Sequence, residues 1–228
     1  AMLFPTLVTW VYFVALADSA TELQQTAYGI GKTLQFLFPI AWALVIERYC
    51  VRITRPQRAG LAEGIVFGLT IFAGALALYY AWLNPIGYLS PASAAGEAVR
   101  RKVASFGVKT LLGYAALGTF YSVVHSFLEE YYWRWFVFGR LLERVSLGVA
   151  IVVSSLGFTL HHILVLGFYL GWLSPATWIF SLAVAIGGAA WAWIYHRSDS
   201  LWGPWLSHLL IDAAIFAVGY DLVRPMLA

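Results

Sequence analysis

The stretch 146-SLGVAIVVSSLGFTLHHILVLG-167 contains no Asp, Glu, Lys or Arg. Uninterrupted apolar runs of about 17 to 25 residues are long enough to cross a bilayer as a helix. Read as a span, this one decides the fold class, because the rest of the chain has the same character. It also raises the functional question, since His161 and His162 lie near its middle. Ionisable residues inside a span are costly and are functional candidates by default.

Of the 228 residues, 61% are hydrophobic and only 11% charged, with a mean hydropathy of +0.78. Soluble domains run nearer about a quarter charged, so the expectation is an all-α, polytopic membrane helix bundle. The length fits one domain, 1–228, with its motif-bearing core at 119–220. A net charge of +3, without a long basic run, excludes nucleic acid as a natural partner. The eleven Trp and thirteen Tyr suit interfacial anchoring as well as core packing. A single cysteine, Cys50, excludes an intramolecular disulfide and a cysteine metal cluster, and reads as inert packing. The opening AMLFPTLVTW has no basic n-region and reads as a mature membrane segment, not a signal peptide.

Working outward from 146–167, further apolar runs lie at 3–17, 30–46, 61–83, 175–195 and 201–220. Residues 84–97 (NPIGYLSPASAAGE) mark a loop. Residues 97–142 would make a straight helix of about 60 Å, twice the hydrocarbon thickness. That region must therefore break, bend or run along the interface, with Gly113 and Gly118 as candidate break points. The total is seven spans, or eight if this region supplies two. With seven, Arg48, Arg52, Arg55, Arg58, Arg140, Arg144 and Arg197 share one side of the membrane. Lys32, Arg100, Arg101, Lys102 and Arg224 share the other, which places the N-terminus outside.

Three clusters of polar residues interrupt the apolar spans. In 127-FLEEYYWRWF-136, Glu130 and Arg134 are i,i+4 neighbours and can pair, with His125 a turn earlier. Glu129 lies about 100° round the helix and is expected to lack that partner. A desolvated, unpaired carboxylate is a stronger base than one in water, as activation of water near neutral pH requires. The second cluster is His161-His162, whose side chains, being adjacent, are not expected to serve one site. The third is His208 with Asp212, again i,i+4. Each has a bland reading: a structural ion pair at Glu130–Arg134, helix-to-helix hydrogen bonds at His125 and His161, a span end at His196, and an Asp212 that only orients His208. Three such clusters in the C-terminal half favour one shared polar cavity.

These residues resemble the CPBP intramembrane proteases, which include the CaaX prenyl-protein endopeptidases and bacteriocin-processing relatives. The family signatures EExxxR, FxxxH and HxxxN or HxxxD read here as Glu129-Glu130-Tyr-Tyr-Trp-Arg134, Phe158-Thr-Leu-His161-His162 and His208-Leu-Leu-Ile-Asp212. The resemblance covers 129–212 and implies a glutamate-dependent intramembrane endopeptidase without an obligatory metal or other cofactor. It implies that Glu129 activates water, that His162 (by the FxxxH register) holds it, and that His208 and Asp212 form the oxyanion side. Glu130, Arg134 and Phe158 would support them. An ionised Asp212 cannot donate a hydrogen bond to an oxyanion, so Asp212 must be protonated or act by orienting His208.

The expected partners are a peptide or protein substrate entering from the membrane and the lipid bilayer itself. The expected location is the plasma (inner) membrane of a prokaryote. Three other readings compete. One is a zinc hydrolase using Glu129, His162, His208 and Asp212 as ligands, although HExxH spacing is absent. The others are a non-catalytic immunity or scaffold protein and a proton-coupled transporter.

Overall fold

A computed structural model describes residues 1–48 and 54–227. Cys50 and Arg52, with the packing and membrane-side readings attached to them, lie outside the described residues. The described residues form helices and no strand: α1 Phe4–Ala15, α2 Thr21–Ile46, α3 Arg58–Leu83, α4 Ala94–Ser105, α5 Leu111–Leu142, α6 Leu147–Leu170, α7 Pro175–Ser198 and α8 Trp202–Met226. Six of them are long and apolar enough to cross a membrane, and α1 is a shorter apolar helix. The chain is therefore a polytopic helical membrane protein, and the seven expected spans correspond to those six and α1.

The long 97–142 region is broken, but not at the glycines expected. It ends as α4 at Ser105, turns through Gly107 at φ 73°, and restarts as α5. Gly107 suits that left-handed turn because it has no Cβ. The Thr110 hydroxyl accepts from the Gly113 amide at 3.1 Å and caps the new helix. Gly113 and Gly118 thus lie inside α5 and interrupt nothing.

α2 also starts earlier than its apolar run suggests, at Thr21, with Glu22 in its first turn, where a negative charge complements the helix dipole. This puts Lys32 near the middle of α2 and not at a membrane surface. It is therefore removed from the positive charges that set orientation.

The chain divides into two compact units, residues Ala1–Pro56 with Leu128–Leu201, and Gln57–Phe127 with Trp202–Ala228. In the first unit, small residues let helices approach. A Cβ on Gly157 of α6 would meet the Trp133 ring at 3.0 Å, and one on Gly188 of α7 would meet Ser155 at 3.3 Å. Gly31 of α2 admits Val8 of α1 in the same way. In membranes such close backbone approach replaces the missing hydrophobic drive between helices.

In the second unit, Gly64 of α3 packs directly on the backbone of Gly203 in α8, and Gly68 packs on Ser207. Hydrogen bonds fasten the same unit at two levels. The Tyr79 hydroxyl donates to Asp221 at 2.7 Å, and the Tyr114 hydroxyl donates to the Phe216 carbonyl at 2.9 Å. Large apolar side chains such as Leu112, Val66 and Leu182 stand on the exterior, as lipid contact demands.

Candidate functional site

The C-terminal part of α5 carries the first cluster in the first unit. Over Tyr131–Phe138 the helix is wound as π turns, a local geometry frequent at functional positions. Glu130 Oε2 lies 3.0 Å from Arg134 Nε, and neither side chain is exposed at all. The Arg134 guanidinium is also held over the rings of Phe158 at 4.8 Å and Trp191 at 5.2 Å. These contacts combine charge pairing with cation–π attraction, so the buried cation is held on three sides.

Glu129 is not without a counter-charge, contrary to expectation. Lys32 Nζ, from α2, approaches Glu129 Oε1 at 3.6 Å, and His161 Nε2 approaches the same oxygen at 3.5 Å. The lysine was invisible as a partner because the two residues come from helices far apart in sequence. Lys32 also lies 5.7 Å from the Tyr28 ring and 5.4 Å from the Phe36 ring. Among the described residues, three buried charges, two carboxylates and one guanidinium on α5, thus meet one largely buried ammonium from α2. Their formal sum is zero, which is what a low-dielectric interior requires of buried ions.

The two adjacent histidines do reach one place. Their ring centroids are 4.1 Å apart. One ligand atom from each of Glu129, His161 and His162 can be chosen so that all three lie within 4.8 Å of one another. Directions 100° apart still converge here because aromatic surfaces fold both rings inward. His161 stacks on Trp133 at 6.0 Å with an interplanar angle of 9°. His162 packs on Phe158 at 4.5 Å. Phe158 contacts both histidines and Arg134, and so serves as the hub of the cluster.

His162 Nδ1 lies 3.0 Å from the Phe158 carbonyl oxygen. A carbonyl can only accept, so Nδ1 must carry the hydrogen, and in the neutral ring Nε2 is then a lone-pair acceptor. His162 is thereby set to receive a hydrogen bond from water. His161 is buried and faces the carboxylate.

The third cluster belongs to the second unit. His208 is buried in α8, with Nε2 3.8 Å from Asp212 Oδ1. They share a face as the i,i+4 spacing implies, at a separation beyond hydrogen-bond length. His125 packs on Tyr121 at 5.1 Å, and His196 stands exposed at the end of α7.

Could these residues hold a metal? Imidazole nitrogen and carboxylate oxygen are suitable zinc donors, and Glu129, His161 and His162 lie close enough together. That group differs from the set expected from sequence by including His161 and by lacking His208 and Asp212. Against it stands Lys32, whose ammonium already supplies a positive charge at the same carboxylate oxygen. Two cations competing for one oxygen repel each other.

Residues 110–214 match the model of the family described as type II CAAX prenyl endopeptidase Rce1-like. The matched segment includes every residue of the three motifs, in agreement with the resemblance they carry. No curated protein and no solved structure matches the chain.

Proposed function

From the Rce1-like match over 110–214, which indicates a membrane peptidase of the CAAX type, we propose that this protein is a glutamate-dependent intramembrane endopeptidase. It hydrolyses a peptide bond in a membrane-associated or C-terminally anchored substrate, and residues 1–228 form its single protease domain. The observation that carries this reading is the convergence of Glu129, His161 and His162 inside an otherwise apolar helix bundle.

In the proposed reaction a water molecule is held by Glu129 and the Nε2 of His162. Glu129 takes one proton from the water as its oxygen bonds to the scissile carbonyl carbon. The carbonyl becomes an oxyanion, which the resemblance assigns to His208, with Asp212 donating if protonated or orienting His208 if ionised. The carbon–nitrogen bond then breaks, and the proton on Glu129 passes to the leaving amine. Glu130, Arg134 and Phe158 keep the helix and the histidines in register. The aromatic shell excludes bulk water, which strengthens each electrostatic contact.

Zinc hydrolysis is a second reading, favoured by the same three-residue convergence. One experiment separates the two. The purified protein in liposomes is given an internally quenched peptide ending in a prenylated Cys-aliphatic-aliphatic-X sequence. Turnover that survives exhaustive chelation supports the glutamate mechanism. Turnover lost to chelation and restored by zinc supports the metal. Neither this peptide nor a membrane-anchored control peptide being cut removes the peptidase reading altogether.

A further inference from the structure

The adjacent carboxylates Glu129 and Glu130 need two buried positive charges, and α5 supplies only one of them, Arg134, paired with Glu130 at 3.0 Å. The second comes from α2. Lys32 is 12% exposed, and its ammonium lies 3.6 Å from Glu129 Oε1. We propose that Lys32 is a positioning residue for Glu129: its ammonium, held between Tyr28 and Phe36, is the counter-charge that keeps the general base a carboxylate in an apolar interior. The inference rests on the peptidase reading above and adds to it a residue outside all three motifs and outside the matched segment.

Among the described contacts, the titratable and charged groups around Glu129 are Lys32 and Tyr28 on α2, His161 and His162 on α6, and Glu130 and Arg134 on its own helix. Arg134 is taken up by Glu130. His162 spends its Nδ1 hydrogen on the Phe158 carbonyl, and a neutral His161 brings no charge. Tyr28 brings none either. Among the described contacts, Lys32 is the cation beside Glu129 that Glu130 does not already hold. Without it, a negative charge on a carboxylate exposed to solvent by only 3% would cost far more to hold in an apolar interior, and a neutral carboxyl cannot accept the proton of water.

Lys32 is well placed to do this without blocking the site. The rings of Phe36 and Tyr28, 5.4 and 5.7 Å from the ammonium, flank its head group by cation–π contact. The separation of 3.6 Å is an ion-pair distance and longer than a tight charge-assisted hydrogen bond.

The test introduces Lys32→Cys in a Cys50→Ser background, leaving the new thiol as the only cysteine. With the prenylated peptide in liposomes, kcat should fall about 10²-fold or more while KM changes little. Alkylation with 2-bromoethylamine, which rebuilds an ammonium at almost the same reach, should return kcat to within about tenfold of the parent. Alkylation with iodoacetamide, of similar size but neutral, should not. Lys32→Arg should keep most of the activity, and it carries the test if the cysteine variant fails to fold. Parent-like kcat in Lys32→Cys, equal rescue by the neutral adduct, or an inactive but folded Lys32→Arg would overturn the inference. An inactive parent protein would instead count against the peptidase reading.

Discussion

Arg134 and Glu130 form an ion pair 3.0 Å apart in which neither side chain has any exposed surface. A pair of this kind contributes little net stability when intact, because desolvation offsets most of the attraction. Breaking it from one side is another matter. Arg134→Met should destabilise the protein by about 3 to 5 kcal/mol, because Glu130 is left buried without its counter-ion. The double replacement Glu130→Gln with Arg134→Met should recover most of that loss. Unfolding midpoints in detergent will check this, and a double variant no better than the single one would show that packing, not charge, dominates.

The histidines should separate in their behaviour. His162→Ala removes the lone-pair acceptor defined by the Phe158 carbonyl contact, and kcat should fall about 10²-fold with little loss of stability. His161→Ala opens a void beside the stacked Trp133 ring and removes a contact to Glu129, so it should lower both stability and activity. Steady-state kinetics with thermal unfolding on the same preparations will decide. If His162→Ala is active and His161→Ala is folded but inactive, the water belongs to His161.

Much of this site was legible in the sequence, and the exceptions have physical reasons. The Glu130–Arg134 pair and the shared face of His208 and Asp212 follow from i,i+4 geometry, which is a local property of any helix. The convergence of His161 and His162 was not, because it depends on Trp133 and Phe158 approaching from around them. Lys32 was missed for a similar reason. Its apolar run starts at Ile30, which puts the lysine at a membrane edge. The true start at Thr21 puts it in the middle of a span, where a charged residue signals a functional partner. The break before α5 was expected at glycines, but a Thr110 cap and a positive-φ Gly107 decided it.

Close approach of α3 and α8 in the second unit depends on glycine. A side chain at Gly64 would collide with the backbone of Gly203, and one at Gly68 would crowd Ser207, the neighbour of His208. Gly64→Val should therefore cost about 1 to 3 kcal/mol or more, because backbone cannot move aside as a flexible side chain can. Gly74→Val, on the same helix with no atom near its Cβ position, is the control and should be nearly neutral. Equal unfolding midpoints for the two variants would contradict the packing described.

Lys102, half-buried on the non-spanning helix α4, provides a pH signature away from the site. Burial pulls its ammonium down from 10.5 to about 8. The folded state thus binds the proton less well than the unfolded chain, so the burial penalty is full below about pH 8 and is relieved as pH rises towards 10.5. Stability should increase across that window, and Lys102→Met should abolish the increase. Unfolding midpoints at both ends of the window, for both proteins, will show whether the slope belongs to Lys102.

The central claim is that Glu129 is the base that activates water. The most direct measurement is the turnover of the prenylated peptide by Glu129→Gln, a nearly isosteric change, in liposomes beside the parent protein. With Glu129 as the base, the variant should be folded, with an unfolding midpoint near that of the parent, and its kcat should be reduced about 10²- to 10⁴-fold. A Glu129→Gln protein that cuts the peptide at the parental rate would contradict it.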